Sequence, residues 1–158
     1  MFRHHPEPPD PSTLEIRRVL LASEGRAVPP AAIEFAARLA KPARAPVRVL
    51  SIARVHGTAF AFPNPWLMPS RHEWQQQRDN VAKAVKALER QGVKADGHVL
   101  GTRKATKKIV REAQRLGCDA IVMAADPPRN RVVADMLWSQ EPQRVRRRAP
   151  VPVYLVTG

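Results

Sequence analysis

The sequence predicts an α/β protein with a five-stranded parallel sheet, doubly wound, with helices on both faces. Three observations predict it. The run Ala120 to Ala125 is apolar throughout, with Gly117-Cys118-Asp119 before it and Asp126-Pro127-Pro128 after. It is too short and uninterrupted for an amphipathic helix, so it reads as a strand covered on both faces, the signature of a parallel sheet. Four further strand-like runs alternate with helix-length connections, giving the order β-α-β-α-β-α-β-α-β. Right-handed crossovers leave few arrangements for that order, and 3-2-1-4-5 is the natural one.

The elements follow in turn. Residues 1–15 contain four prolines and little to bury, so they read as a disordered tail, and 16–158 as a single domain. Arg17-Arg18 leads into a strand at Val19–Ser23, and Glu24-Gly25-Arg26 turns the chain. Pro29 and Pro30 open a helix, where a missing N–H costs least, and Ile33, Ala36, Ala37 and Ala40 give it an apolar stripe up to Pro42. A second strand covers Val47–Ala53. A proline- and aromatic-rich insertion follows, His56 to Pro69, with Phe60, Phe62 and Trp66. A long helix spans about 71–91, with Trp74, Val81, Ala84, Val85 and Leu88 on one side and Gly92 at its end. The third strand is expected at Val93–Leu100, the third helix at Thr102–Leu116 with Gly117 as its stop, an amphipathic stretch at Val132–Arg148, and a closing strand at Val151–Val156.

Composition bounds the function. At 158 residues the chain is one domain. A net charge of +13 favours nucleic acid, ribosomes or other anionic surfaces, unless it is spread evenly over a solvated exterior. A single cysteine, Cys118, excludes an internal disulfide and a cysteine-based zinc site, and suits a reducing cytoplasm. No apolar run approaches the roughly 18 residues of a membrane span, and no secretory signal opens the chain, so a cytoplasmic protein without membrane contact is expected. His4 and His5 have no partner of fixed geometry nearby, and no metal site is expected.

In a doubly wound sheet, ligands bind at the carboxyl ends of the strands. The loop after the fourth strand, Ala124-Ala125-Asp126-Pro127-Pro128-Arg129-Asn130-Arg131, is therefore the expected working end, facing the turn Ser23-Glu24-Gly25-Arg26.

Three pieces of the chain resemble the universal stress protein family across about residues 16–157. Arg18-Val19-Leu20-Leu21-Ala22-Ser23-Glu24-Gly25 is similar to the family's opening strand and Asp-Gly turn. Gly117-Cys118-Asp119-Ala120-Ile121-Val122-Met123 is similar to its Gly-Ala-Asp-Leu-Ile-Val-Met. Arg144-Val145-Arg146-Arg147-Arg148-Ala149-Pro150-Val151-Pro152-Val153 is close to its closing Arg-Val-Leu-Arg-His-Ala-Pro-Cys-Pro-Val. The resemblance implies a Rossmann-like fold, a stress-response role, and a homodimer through the last strand, here Val151, Val153, Tyr154 and Leu155. Nucleotide-binding members of that family carry Gly-x2-Gly-x9-Gly-(Ser/Thr) after the fourth strand, where glycines let the backbone approach phosphates. The matching positions here are Asp126, Arg129 and Ser139, followed by Gln140, and none is glycine. Pro127 and Pro128 have no N–H to donate, and Asp126 and Glu24 add negative charge. The expectation is a vestigial crevice with no resident cofactor. ATP held through an altered loop by Arg26, Arg129 and Arg131 is the alternative.

Lys104, Lys107, Lys108, Arg111 and Arg115 fall on one stripe of the third helix, opposite Ala105, Ile109, Ala113 and Leu116, with only Glu112 interrupting the basic run. Arg144, Arg146, Arg147 and Arg148 form a second basic cluster, at a helix end where the dipole favours cations. Two readings stand open: a solvated face, or a phosphate-driven surface for RNA or the ribosome. The aromatic insertion reads as a plug over the crevice, a base-stacking platform or a docking segment. Ser23, Glu24 and His98 lack the partners that catalysis needs, so no enzyme is expected. The reading is a non-enzymatic stress adaptor, with an RNA-associating protein and an ATP binder as alternatives.

Overall fold

The computed structural model describes residues 7–54, 69–126 and 140–157. The five strands β1 (Val19–Ser23), β2 (Val47–Arg54), β3 (Ala95–Thr102), β4 (Ala120–Ala124) and β5 (Val153–Val156) form one sheet in the order β3-β2-β1-β4-β5. Every pairing is parallel, as expected. β1 lies between β2 and β4 in register, Leu21 beside both Val49 and Val122. The chain therefore winds outward from β1 in one direction, then restarts at β4 on the other side. That reversal leaves a crevice between the carboxyl ends of β1 and β4.

Alternation along the strands divides the core between two faces. Val19, Leu21, Val47, Val49, Ala120 and Val122 point to one side, under α1 (Pro30–Ala40) and α2 (Arg71–Arg90). Leu20, Ala22, Leu50, Ile52, Ile121 and Met123 point to the other, under α3 (Ala105–Leu116) and α4 (Glu141–Arg148). β1 and β4 are buried along their whole length, which is why their sequences run apolar without alternation.

Local chemistry accounts for the ends of the elements. Ser70 accepts from the Glu73 N–H and caps α2. Asp119 accepts from the backbone N–H groups of Arg17 and Arg18 at 2.6 and 3.1 Å, tying the start of β1 to the loop before β4. A side chain at Gly97 would place its Cβ 2.0 Å from Val81, so only glycine lets α2 lie this close to β3. Cys118 is buried, which pushes its thiol up to about 11 and leaves it protonated and unreactive at neutral pH.

Several expected boundaries shift. β3 begins and ends two residues later than expected and includes Gly101 and Thr102, because the ladder with β2 continues to Arg54. α3 consequently starts at Ala105, and Lys104 is its N-cap residue. β5 starts at Val153 instead of Val151. Of the amphipathic stretch expected from Val132 to Arg148, the described part is helical from Glu141, and residues 132–139 lie outside the described residues. The N-terminal segment from residue 7 is not featureless: Asp10 caps a 3-10 turn at Pro11–Thr13, Leu14 packs on the core, and the Tyr154 hydroxyl donates to the Pro9 carbonyl at 2.6 Å.

Candidate functional site

The crevice is built from the residues that end three central strands. Ser23 ends β1, Arg54 ends β2, and Asp126 lies two residues beyond β4. Between them the chain turns through Glu24, Gly25 and Arg26. Gly25 has φ of +132°, a conformation side chains disfavour, so the tight turn depends on glycine here. Ser23 fastens the turn from inside: its hydroxyl donates to the Arg26 carbonyl and accepts from the Gly25 N–H. Arg54 Nε donates to the Glu24 carbonyl at 2.7 Å, and Gln77 Nε2 donates to the Gly25 carbonyl at 2.9 Å. Gln77 is itself held by Ser51 and Glu73. The turn is thus preset by three side chains drawn from β1, β2 and α2.

Charge in the crevice is internally matched. Arg26 donates Nη1 and Nη2 to the two oxygens of Asp126 at 2.9 and 3.1 Å, a bidentate pair. Its Nε donates to Glu24 Oε1. Glu24 is 2% exposed, and its Oε2 has no hydrogen-bond partner among the described residues. Burial raises the Glu24 carboxyl above its ordinary value, against the opposing pull of Arg26 and Arg54. Desolvation lowers the basicity of Arg26, but its two carboxylates more than reverse this, and in net its pKa is raised. Arg26 is therefore a committed cation that gives three of its five N–H donors to two acids.

The sequence-derived crevice residues divide by position. Ser23, Glu24, Gly25, Arg26, Ala124 and Asp126 come together at the ends of β1 and β4. Arg129, Arg131 and Ser139 lie outside the described residues, as do Phe60, Phe62, Trp66 and Trp138. Gln140 is the exposed N-cap residue of α4 and makes no side-chain capping bond. Ser23 and Glu24, read from the sequence as isolated, are bonded within the turn, whereas His98 is exposed on β3. Arg54, Glu73 and Gln77 were missed. Arg54 was findable as the last residue of β2, and Gln77 as the polar residue set between Trp74 and Val81 on the buried stripe of α2.

The basic face of α3 is real but less uniform than its spacing suggests. Lys104, Lys107 and Arg111 are exposed and Lys108 is half-buried. Arg115, by contrast, is paired with Glu112, which also lies 3.9 Å from Arg48. Glu112 is buried in the flank of the helix, and the Arg115 hydrogen bond holds its carboxyl below its ordinary value. On β5, Val153 and Tyr154 are buried inside this chain, Tyr154 against Phe35 with ring centroids 5.4 Å apart, while Leu155 and, just before the strand, Val151 are partly exposed. Among the described residues β5 pairs only with β4, leaving its outer backbone edge open. No helix among the described residues is long and apolar enough to cross a membrane, and no group of three metal-ligating side chains occurs among them.

Comparison with known proteins gives this architecture a relationship. A universal stress protein from Archaeoglobus fulgidus superposes with a TM-score of 0.67 at 17% identity, covering 88% of this chain and 92% of its own. The universal stress protein from Archaeoglobus fulgidus in complex with dAMP superposes at 0.64 with 18% identity, covering 89% and 97%. A family protein from Burkholderia pseudomallei does so at 0.64 with 19% identity, covering 89% and 96%. No curated protein matches the sequence. The universal stress protein family profile matches residues 15–157, nearly the whole chain. With its opening turn, its Gly-Cys-Asp strand and its closing Ala-Pro-x-Pro-Val segment all in place, the chain belongs to the universal stress protein family.

Proposed function

We propose that this chain is a non-catalytic binding protein of the stress response, whose crevice is occupied by its own ion pairs instead of a nucleotide. One observation carries the reading: Arg26 is shared between the buried Glu24 and Asp126 at the reversal of the sheet. A phosphate entering there meets two carboxylates, and the Arg26 guanidinium is already paired with both of them. Taking Arg26 from Asp126 would leave a half-buried acid without its partner beside an incoming anion, a doubly unfavourable exchange. The lack of glycine at Asp126 and the two prolines after it support the same conclusion from the backbone side. The polar groups of the turn are tied to carbonyls and amides, so no nucleophile–base pair is poised for catalysis within it. Association with a second copy through the open edge of β5 completes the proposed adaptor.

The relative solved with dAMP defines the competing outcome. Isothermal titration of the protein with Mg-ATP and, separately, with dAMP tests the proposal. The expected result is no saturable heat up to millimolar ligand. Saturable binding in the micromolar range by either nucleotide overturns it, and loss of that binding in Arg26→Ala would then assign Arg26 to the phosphate.

A further inference from the structure

The fold joins two basic clusters that lie about forty residues apart in sequence. The start of α3 and the face of α4 pack on the same side of the sheet and enclose a groove of about 470 Å³. Arg103, Lys104 and Lys107 line it from the start of α3 and the loop before it, Arg144 and Arg148 from α4. Glu141 is the one carboxylate among these lining residues, and it is engaged by the Thr106 hydroxyl and by Arg144 at 3.4 Å. The groove shares no residue with the Glu24–Arg26–Asp126 crevice.

From this arrangement we infer that the α3–α4 groove is a binding site for the phosphodiester backbone of a nucleic acid strand. Three features favour that partner. The cations exceed the carboxylates heavily, and Lys107 sits in the first turn of α3, where the helix dipole disfavours positive charge. Like charges gathered against mutual repulsion and, at Lys107, against the dipole are stabilised when an anion joins them. The basic face also continues past the groove along α3 through Lys108 and Arg111, a track longer than one small anion requires. Finally, among the described residues lining the groove Ala105 is the sole apolar side chain. A protein partner needs an apolar anchor at the centre of its interface, whereas a phosphate backbone does not. The described lining residues include no aromatic ring to stack on a base, so the contacts they offer are to the backbone and indifferent to sequence.

Fluorescence anisotropy with a labelled 20-nucleotide single-stranded RNA, and with DNA of the same sequence, tests this on the full chain. The expected result is micromolar binding of both strands at low salt. The combined variant Lys104→Gln, Lys107→Gln, Arg144→Gln, Arg148→Gln weakens it more than about tenfold and lowers the salt slope by about 3, since each phosphate deprived of its cation removes roughly 0.7. A control of equal charge change on and beside α2, Lys83→Gln, Lys86→Gln, Arg90→Gln, Lys94→Gln, stays within about threefold of the parent. Far-ultraviolet circular dichroism of both variants identifies any loss that comes from misfolding. The inference is overturned if neither strand binds, if the α2 control weakens binding equally, or if inorganic phosphate at constant ionic strength displaces the strand at low millimolar concentration. The last result would make the groove a small-anion site.

Discussion

Two arginine-rich places on the carboxyl-end rim of the sheet stand in opposite electrostatic states. In the crevice, Arg26 answers two carboxylates, one of them buried, and Arg54 is bonded to the Glu24 carbonyl. In the α3–α4 groove, five cations surround one carboxylate, and Lys107 and Arg148 are exposed. The first place pairs its charges within the fold, and the second keeps a surplus of cations beyond the single pair of Arg144 with Glu141. A net charge of +13 distinguishes neither; only the pairing does. The contrast separates an arginine that stabilises a turn from cations free to bind.

Breaking the crevice has the largest expected effect. Arg26→Ala leaves Glu24 buried without its ion pair and Asp126 without its bidentate partner, and should cost about 2 to 3 kcal/mol, below the full range for a buried pair because Arg26 is 24% exposed. Urea denaturation at neutral pH measures it. A loss under about 1 kcal/mol would mean the pairs are as weakly coupled as surface ones.

An intermediate effect is expected in pH dependence, with opposite signs at two acids. The Glu24 carboxyl is raised in the folded state, so its contribution to stability is complete below its ordinary value of 4.5 and is lost as pH rises through the raised value. Glu112 is lowered, so its contribution is present above 4.5 and is lost as pH falls through the folded value. Glu24→Gln should therefore remove a decline in stability on the neutral side of 4.5, and Glu112→Gln a decline on the acid side. Denaturation midpoints from about pH 3 to about pH 8 separate the two; the same change of slope in both variants would contradict the assignment.

The groove should give the smallest change. Lys104→Gln with Lys107→Gln is expected to alter stability by less than about 0.5 kcal/mol, in the stabilising direction at low salt, because cations leave the start of a helix. A clear destabilisation in thermal melts would show that these lysines are structural.

The fold was legible because each of its signals is local. Buried parallel strands announce themselves as uninterrupted apolar runs, as at Ala120–Ala124, and helices by stripes such as Ile33, Ala36 and Ala40. Strand ends were less so: β3 continues through Gly101 and Thr102 because its neighbour continues, which is a property of the ladder and not of those residues. The crevice was half legible. The carboxyl-end rule named Glu24, Arg26 and Asp126, but the pairing of Arg26 with Asp126 joins residues 100 positions apart, beyond the reach of spacing. Gln77 and Arg54 escaped for the same reason, since their partners are backbone carbonyls of a distant turn. Arg115 failed in the opposite way. Helical spacing counted it with the free cations, and a neighbour three residues back withdraws it.

The hydrogen bond between Tyr154 and Pro9 has an optical consequence. The chain contains one tyrosine, and its phenol is bonded to the N-terminal segment while its ring rests on α1 through Phe35. Burial raises the pKa of that phenol, so its alkaline ionisation is delayed while the bond is kept. The alkaline absorbance change of this one phenol thus reports whether the segment at Pro9 is seated against the last strand, with no label added to the protein.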